Sequence, residues 1–170
     1  MHRRWYLILS VAVIVVTMAF VVTLRTVSAV SEGNRPSASG HGNLSDQGEL
    51  RTFSFHAFTR KDGSISGNAT LHNRDLDVFS KMDIDCMVVD GNRASLSGPI
   101  TAQPDDPSLV GVTAIFTIEE NGEGKNADPD RMSYVYPYPV ANPPDCTDAA
   151  AANFPFPMLE IEGGNIQLRP

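Results

Sequence analysis

The sequence predicts an all-β protein: one antiparallel meander of about eight strands that closes into a small barrel. From residue 51 onward, apolar residues recur at every second position, which is the period of a half-buried strand. Clusters of Gly, Asn, Asp and Pro separate these runs, as turns separate strands. Apolar residues at helical spacing are missing there. A two-sheet sandwich is the alternative, because it also protects the edges of a large open sheet.

The first predicted hairpin follows from pairing rules, since residues directly opposite each other share one face of a sheet. Phe53 and Phe55 fall opposite Leu71 and Ala69 only if the loop has an odd number of residues. The segment KDG at residues 61–63 fits a common three-residue connection with glycine in the left-handed position. We therefore predict a hairpin that turns at these residues.

The same test predicts three more hairpins. One turns at residues 90–92, one crosses the acidic segment 119–130, and one turns at Gly163 and Gly164. The first of these places Cys86 opposite Leu96, on the interior face. The second places Ile118 opposite Met132 and gives Tyr136 the same interior parity. The proline-rich residues 137–157 do not suit a central strand, because proline lacks a backbone donor, so we expect them to cap one end of the barrel.

The N-terminal segment has the layout of an export signal. Residues 1–4 are basic, residues 5–24 carry no charge, and small residues lead to Ala29. Residues 1–29 are therefore either a signal peptide cleaved after Ala29 or a signal anchor whose residues 5–24 cross the membrane. Both alternatives place the rest of the chain outside the cytoplasm. Residues 30–50, rich in Ser, Gly and Asn, are predicted to be a flexible linker, and residues 51–170 the folded domain.

The charge distribution limits the possible partners. All 20 acidic residues and 10 of the 13 basic ones lie beyond residue 30, so this part carries a net charge near −10. Such a surface repels phosphate backbones, which argues against nucleic acid. An unknown protein, a glycan or a small apolar ligand are the partners we expect, with the membrane contacted only through the N-terminal segment. Tyr and Phe residues between 134 and 156 would form either a glycan platform or part of the packing.

Two cysteines, Cys86 and Cys146, lie in the exported part. An even number of cysteines outside the cytoplasm indicates a disulfide bond. A reactive thiol would need an electropositive setting, whereas aspartates flank both residues. We therefore predict a structural disulfide between Cys86 and Cys146.

No catalytic constellation is recognisable. In the predicted register, His56 and His72 point outward and lie roughly 13 Å apart, at ~3.3 Å per strand residue, which is too far to share a zinc ion. A nucleophile elbow and a glycine-rich oxyanion turn are both missing. The sequence therefore favours a non-catalytic protein, and a secreted hydrolase is the last alternative.

The acidic segment is the best candidate for a metal site. It combines carboxylates with side-chain amides and flexible glycines, a mixture of oxygen ligands that calcium accepts. The predicted ligands are Glu119, Glu120, Glu123, Asp128 and Asp130. The spacing differs from the EF-hand pattern, so a solvated hairpin loop without metal is the alternative.

Four segments resemble a functionally uncharacterised family of secreted bacterial all-β domains. They are GSISGNATL at 63–71, DIDCMVVDGN at 83–92, FTIEENGEG at 116–124 with DPDR at 128–131, and GGNIQ at 163–167. The resemblance covers about residues 51–170; it implies export, the fold and a cysteine after the acidic loop, here Cys146, but no activity. We therefore expect an exported binding or structural module, with a calcium-dependent binding module as the alternative.

Overall fold

The computed structural model describes residues 35–124, 126–138, 146–147 and 157–170. Eleven strands and one 3₁₀ turn, Pro107–Leu109, account for most of this part. The strands are β1 Ser37–Asp46, β2 Glu49–Thr59, β3 Ile65–Asn73, β4 Val78–Ile84, β5 Cys86–Asp90, β6 Arg93–Ala102, β7 Thr113–Glu119, β8 Arg131–Ser133, β9 Tyr136–Tyr138, β10 Met158–Glu160 and β11 Gly163–Arg169. The predicted leader, residues 1–29, lies outside the described residues. Within the described residues, no helix has the length and apolar character needed to span a membrane.

All strands belong to one antiparallel sheet that curls into a half-barrel. The order is β10-β8-β7-β6-β4-β3-β2-β1-β11, with β5 beside β6 and β9 beside β7. Most neighbours in the sheet are also neighbours in sequence, as a meander requires. The predicted all-β meander that closes toward a barrel is therefore confirmed.

The first predicted hairpin has the expected register. Phe55 lies opposite Ala69, and Arg60 N donates to Ser64 O at 2.7 Å, which leaves residues 61–63 as the loop. Gly63 has φ +85°, a backbone conformation that glycine adopts without steric cost. The turn residues and the alternation of apolar residues agree here, so the sequence alone predicts this hairpin correctly.

The second hairpin departs from its predicted register. Met82 lies opposite Ile100 as expected, but Cys86 lies opposite Ser97, and the turn consists of Gly91 and Asn92 alone. The register changes between β4 and β5, and a one-residue change turns every following side chain to the other face. The predicted interior position of Cys86 is therefore wrong.

Gly98 has a close neighbour at this irregularity. A Cβ added at position 98 would lie 2.1 Å from the carbonyl oxygen of Asp83. Glycine in a strand often marks such a close backbone approach or a bulge. Alternation of apolar residues predicts the register only of an unbroken ribbon, so it does not predict this irregularity.

The predicted pairing of the third hairpin is correct only near its loop. Ile118 lies opposite Met132, as predicted, whereas Tyr136 pairs with Ile115 in a register shifted by one residue. Tyr136 therefore lies on the same face as Ile115, outside the main core, and its predicted interior position is wrong. Tyr134 and Val135 separate the two short strands and absorb the shift.

The fourth predicted hairpin does not form. β10 pairs with β8, and β11 pairs with β1, so that Gly163 lies opposite Asn43 and Gly164 opposite Gly42. The predicted hairpin is wrong because β11 pairs with β1, which lies in the segment predicted to be a flexible linker.

The predicted flexible linker over residues 30–50 is wrong from Ser37 onward, where β1 begins. This strand carries small residues because its neighbours come close. A Cβ at Gly40 would lie 2.6 Å from the Phe55 ring, and one at Gly42 would lie 2.2 Å from the Gly163 carbonyl oxygen. Its composition therefore hides the alternation of a strand, since only Ala38 and Leu44 add apolar side chains to the core.

The main hydrophobic core fills the concave side of the half-barrel. Phe116, Leu96, Met82, Ile84 and Ile166 are among its fully buried side chains. A second, smaller cluster lies on the other face of β6 and β7; it consists of Ile115, Cys146, Cys86, Val88, Tyr136 and Tyr138.

Candidate functional site

An apolar pocket of about 280 Å³ opens inside one end of the half-barrel. Residues of β1, β2, β3, β4, β6, β8 and β9 contribute to its wall, and most of them face inward, because alternate residues of a strand share a face. Its apolar lining comprises Leu44, Phe53, Leu71, Val78, Ile100, Leu109, Met132 and Val135. The mouths of β-barrels are a frequent place for small-molecule sites.

A polar network lies at the mouth of the pocket. Glu49 Oε2 accepts hydrogen bonds from Arg51 Nη2 at 2.8 Å and from Asn73 Nδ2 at 2.7 Å. These bonds, chiefly the one from Arg51, lower the pKa of the Glu49 carboxyl. The Arg51 guanidinium also lies over the Tyr134 ring, 4.6 Å from its centroid. The mouth therefore has a fixed cation beside an aromatic face.

Exposed apolar side chains occur near the same opening. Leu76 lines the pocket and is 61% exposed. Leu50 is 39% exposed, and its carbonyl oxygen accepts from Arg74 N at 2.8 Å, which joins the start of β2 to the turn after β3. Apolar groups left in water at a cavity mouth are typical of an entrance for an apolar molecule.

His56 and His72 do not form a shared site. His72 Nε2 lies 3.0 Å from Asp77 Oδ1, and its ring contacts Phe79 edge-on. His56 is exposed opposite Asn68, as predicted. His41 lies in β1, in the segment that was predicted to be a linker. The β1–β2 pairing places it diagonally beside His56.

Within the described residues, the structure holds no group of three or more His, Cys, Asp or Glu side chains placed to bind a metal.

The acidic loop between β7 and β8 contacts strand β11. Asp130, only 7% exposed, accepts from Asn121 N through Oδ1 at 2.9 Å and from Ile166 N through Oδ2 at 2.8 Å. Glu120 Oε2 accepts from Leu168 N at 2.6 Å. Two of the predicted calcium ligands thus bind backbone N–H groups.

The other three predicted ligands lie apart from these. Glu119 is within 3.3 Å of Arg93 and 4.0 Å of Arg131, while Glu123 accepts from Gln167 Nε2 at 3.1 Å. Asp128 is exposed. The five carboxylates are therefore spread over an ion-pair cluster, a strand contact and solvent, and the calcium site stays a prediction.

The predicted disulfide joins Cys86 to Cys146, with Cα atoms 5.9 Å apart and a separation of 60 positions in sequence. It lies in the second cluster, where Cys146 is fully buried. Burial raises the pKa values of the Tyr136 and Tyr138 phenols beside it. The disulfide is thus part of a packed layer on the outer face of the sheet.

No family model, curated protein or solved structure matches the chain. A functional assignment therefore depends on the geometry of the pocket and of the acidic loop.

Proposed function

We propose that this protein is an exported, non-catalytic binding module whose half-barrel takes up a small apolar ligand through its open end. The observation that carries the proposal is the pocket of about 280 Å³ with its aliphatic and aromatic wall. Well-packed cores rarely leave voids much larger than a water molecule. An open pocket of this size with a largely apolar lining is therefore suited to a bound apolar molecule.

The volume limits the size of the ligand. An apolar protein cavity of about 150 Å³ holds benzene, and many ligand pockets begin near roughly 300 Å³. The pocket is thus suited to one or two small rings or a short alkyl chain. Burial of such a molecule is favourable by about 25 cal/mol per Å² of apolar surface removed from water.

The side chains around the pocket support binding rather than catalysis. Among the described residues that line it, no carboxylate is present, and His72 directs Nε2 toward Asp77. The hydroxyl of Ser133 donates to Tyr134 O and accepts from Thr117 N. A general base beside a free nucleophile, which a hydrolase requires, is not assembled in this part of the chain.

Export is supported by the leader-like composition of residues 1–29 and by the disulfide, which is compatible with an extracytoplasmic location. A reporter test addresses this part of the proposal. Alkaline phosphatase is active only after export, so fusing it behind residue 170 should yield activity in a bacterial host. A fusion that lacks residues 1–29 is the control, and equal activity of both fusions would contradict export.

Naphthalene binding tests the pocket. We expect the probe to shift backbone resonances of Phe53, Leu71 and Ile100 in NMR spectra of the purified protein. Val78→Phe, which narrows the pocket, should weaken binding at least about tenfold, because overpacking is costly. Val110→Phe is the matched control, since Val110 is exposed outside the pocket lining. Absence of binding, or shifts confined to residues elsewhere, would contradict the proposal.

A further inference from the structure

Ser80 is a polar residue on the inward face of the half-barrel. In the β3–β4 pairing it lies opposite Leu71, just as Met82 lies opposite Ala69 two residues further along. Met82 and Ala69 are buried in the core, whereas Lys81 is exposed. Because alternate residues of a strand share a face, the side chain of Ser80 points to the concave side, where it lines the pocket.

The hydroxyl group of Ser80 is accessible from the pocket. Among the described residues it has no hydrogen-bond partner, and the side-chain nitrogen and oxygen atoms that are both buried and without a partner belong to three arginines. Since Ser80 is half-buried and is not one of these, its oxygen must keep accessible surface. The side chain points inward, so this surface opens into the pocket.

Gln103 adds a second polar group beside Ser80. Lys81 of β4 pairs with Ala102 of β6. The next residue along each chain is Ser80 on one side and Gln103 on the other. Gln103 also lines the pocket, and within the described part of the chain its amide has no hydrogen-bond partner. A hydroxyl and an amide can each donate and accept, so both can bond to one polar group of a ligand.

Two other polar side chains on the inward face are already engaged. Arg51 and Asn73, which lie opposite each other in β2 and β3, both donate to the Glu49 carboxylate. Asn73 Oδ1 also accepts two backbone N–H groups of the turn that follows β3. Ligand pockets fix the orientation of a bound molecule through a few polar groups in an apolar wall. Ser80 is the group on this wall that is suited to that role.

Resting on the proposed function, we propose that the ligand is a neutral molecule with an apolar body and one oxygen-bearing group, which hydrogen-bonds to Ser80 Oγ. A ketone, ester or alcohol has this chemistry. No carboxylate is present among the described residues that line the pocket, and the charge of Arg51 is paired with Glu49. A charged ligand would therefore be buried without a counter-ion, which is costly, whereas an uncharged oxygen needs only a hydrogen bond.

Two probes of nearly equal shape isolate the oxygen. Acetophenone and α-methylstyrene differ only in that a carbonyl oxygen replaces a terminal CH₂ group. Both are single-ring molecules, which suit a pocket of about 280 Å³. Their dissociation constants can be measured by NMR titration of the purified protein. The ratio of the two constants, compared between variants, removes the difference in their solvation by water.

Ser80→Ala is the test variant, because it removes the hydroxyl and keeps the Cβ atom in place. We expect the preference for acetophenone over α-methylstyrene to fall about fivefold, as the loss of one neutral hydrogen bond predicts. Ser54→Ala is the matched control, since Ser54 is exposed on the outward face of β2 and does not line the pocket. It should leave the preference unchanged.

A measurement on the unmodified protein does not depend on a variant that folds. The acetyl methyl group of bound acetophenone should give nuclear Overhauser effects to the β protons of Ser80, and the para proton of its ring should not. If both probes bind but Ser80→Ala leaves the ratio unchanged, or if the para proton lies beside Ser80, the role of Ser80 is wrong and the pocket stands. If the unmodified protein binds neither probe, both proposals are wrong.

Discussion

Asp130 Oδ2 accepts the backbone N–H of Ile166 at 2.8 Å, although 36 positions separate the two residues in sequence. Ile166 belongs to β11, the strand at one edge of the sheet. Glu120 binds Leu168 N two residues further along the same strand. Carboxylates thus occupy N–H groups that a neighbouring strand would otherwise bind, which protects this edge from pairing with another chain.

Asp130→Asn tests this edge contact. The amide keeps the shape of the carboxyl but has only one acceptor oxygen, so either Ile166 N or Asn121 N would face an NH₂ group. We expect the free energy of unfolding to fall by about 1–3 kcal/mol, measured by urea denaturation. Asp128→Asn, at an exposed position of the same loop, should change it by less than about 0.5 kcal/mol. Equal effects would show that the loop acts only through its overall charge.

Calcium addition tests the metal prediction directly. Within the described residues, the acidic side chains of this loop do not gather around one point, and Glu120 and Asp130 already accept N–H groups of β11. We therefore expect the melting temperature to be the same in millimolar calcium and in chelator. An increase with calcium, abolished by Asp128→Asn, would establish a site in the loop and contradict this expectation.

Reduction of the disulfide should destabilise the fold. Closing a 60-residue loop limits the unfolded chain, and the chain-entropy model gives about 4 kcal/mol for this length. The double variant Cys86→Ser, Cys146→Ser should lower the free energy of unfolding by a similar amount. A reducing agent should have the same effect on the unmodified protein and none on the variant, as followed by urea denaturation. A variant as stable as the unmodified protein would show that the bond contributes nothing.

Gly42→Ala should disrupt the pairing of β1 with β11. The added Cβ would lie 2.2 Å from the Gly163 carbonyl oxygen, a backbone atom that cannot move alone. We expect a loss of at least about 2 kcal/mol in unfolding free energy, together with fast amide exchange in β11. Ser39→Ala, an exposed position on the same strand, is the control. If amide exchange in β11 of the Gly42→Ala variant is as slow as in the unmodified protein, the β1–β11 register is wrong.

The partly buried phenols of Tyr136 and Tyr138 predict a loss of stability in alkali. Burial raises the pKa values of Tyr136 and Tyr138 in the folded state. Folded protein therefore binds these protons more tightly than unfolded protein, so their contribution is present below about pH 10 and lost as the pH rises through the raised values. The double variant Tyr136→Phe, Tyr138→Phe should show a weaker alkaline loss in urea denaturation. The pKa values can be measured from the rise of tyrosinate absorbance with pH. If all four tyrosines titrate at the ordinary pKa, the burial of Tyr136 and Tyr138 is contradicted.

Apolar alternation predicted the fold class because most strands present one face to the core. It also gave the first hairpin, where parity and the Gly63 turn agree. It failed where one residue changes the register, as between β4 and β5, because parity carries no information about bulges. It also missed β1, whose glycines at positions 40 and 42 replace the side chains on which the test depends.

The candidate site was harder to predict for a related reason. The pocket is formed by residues of seven strands and of the segments between them, and its size depends on how far the sheet curls. Arg51 follows the inward parity of Phe53, which was a usable signal for a cation in the barrel mouth. Its fixed position beside Glu49 and over the Tyr134 ring depends on contacts that the alternation of apolar residues does not predict. The carboxylates of the acidic loop do hold two elements together, but their partners lie on β11, a strand far away in sequence.

The β1–β11 pairing means that the first and last described strands complete each other. Detaching β11 would uncover the backbone groups of β1 and open one side of the half-barrel at the same time. A second copy carries an identical strand in the correct register, so the vacated position could be refilled by exchange between two molecules. We expect a variant that weakens the carboxylate contacts to β11, such as Asp130→Asn, to form interlocked dimers at concentrations where the unmodified protein does not, as measured by size-exclusion chromatography.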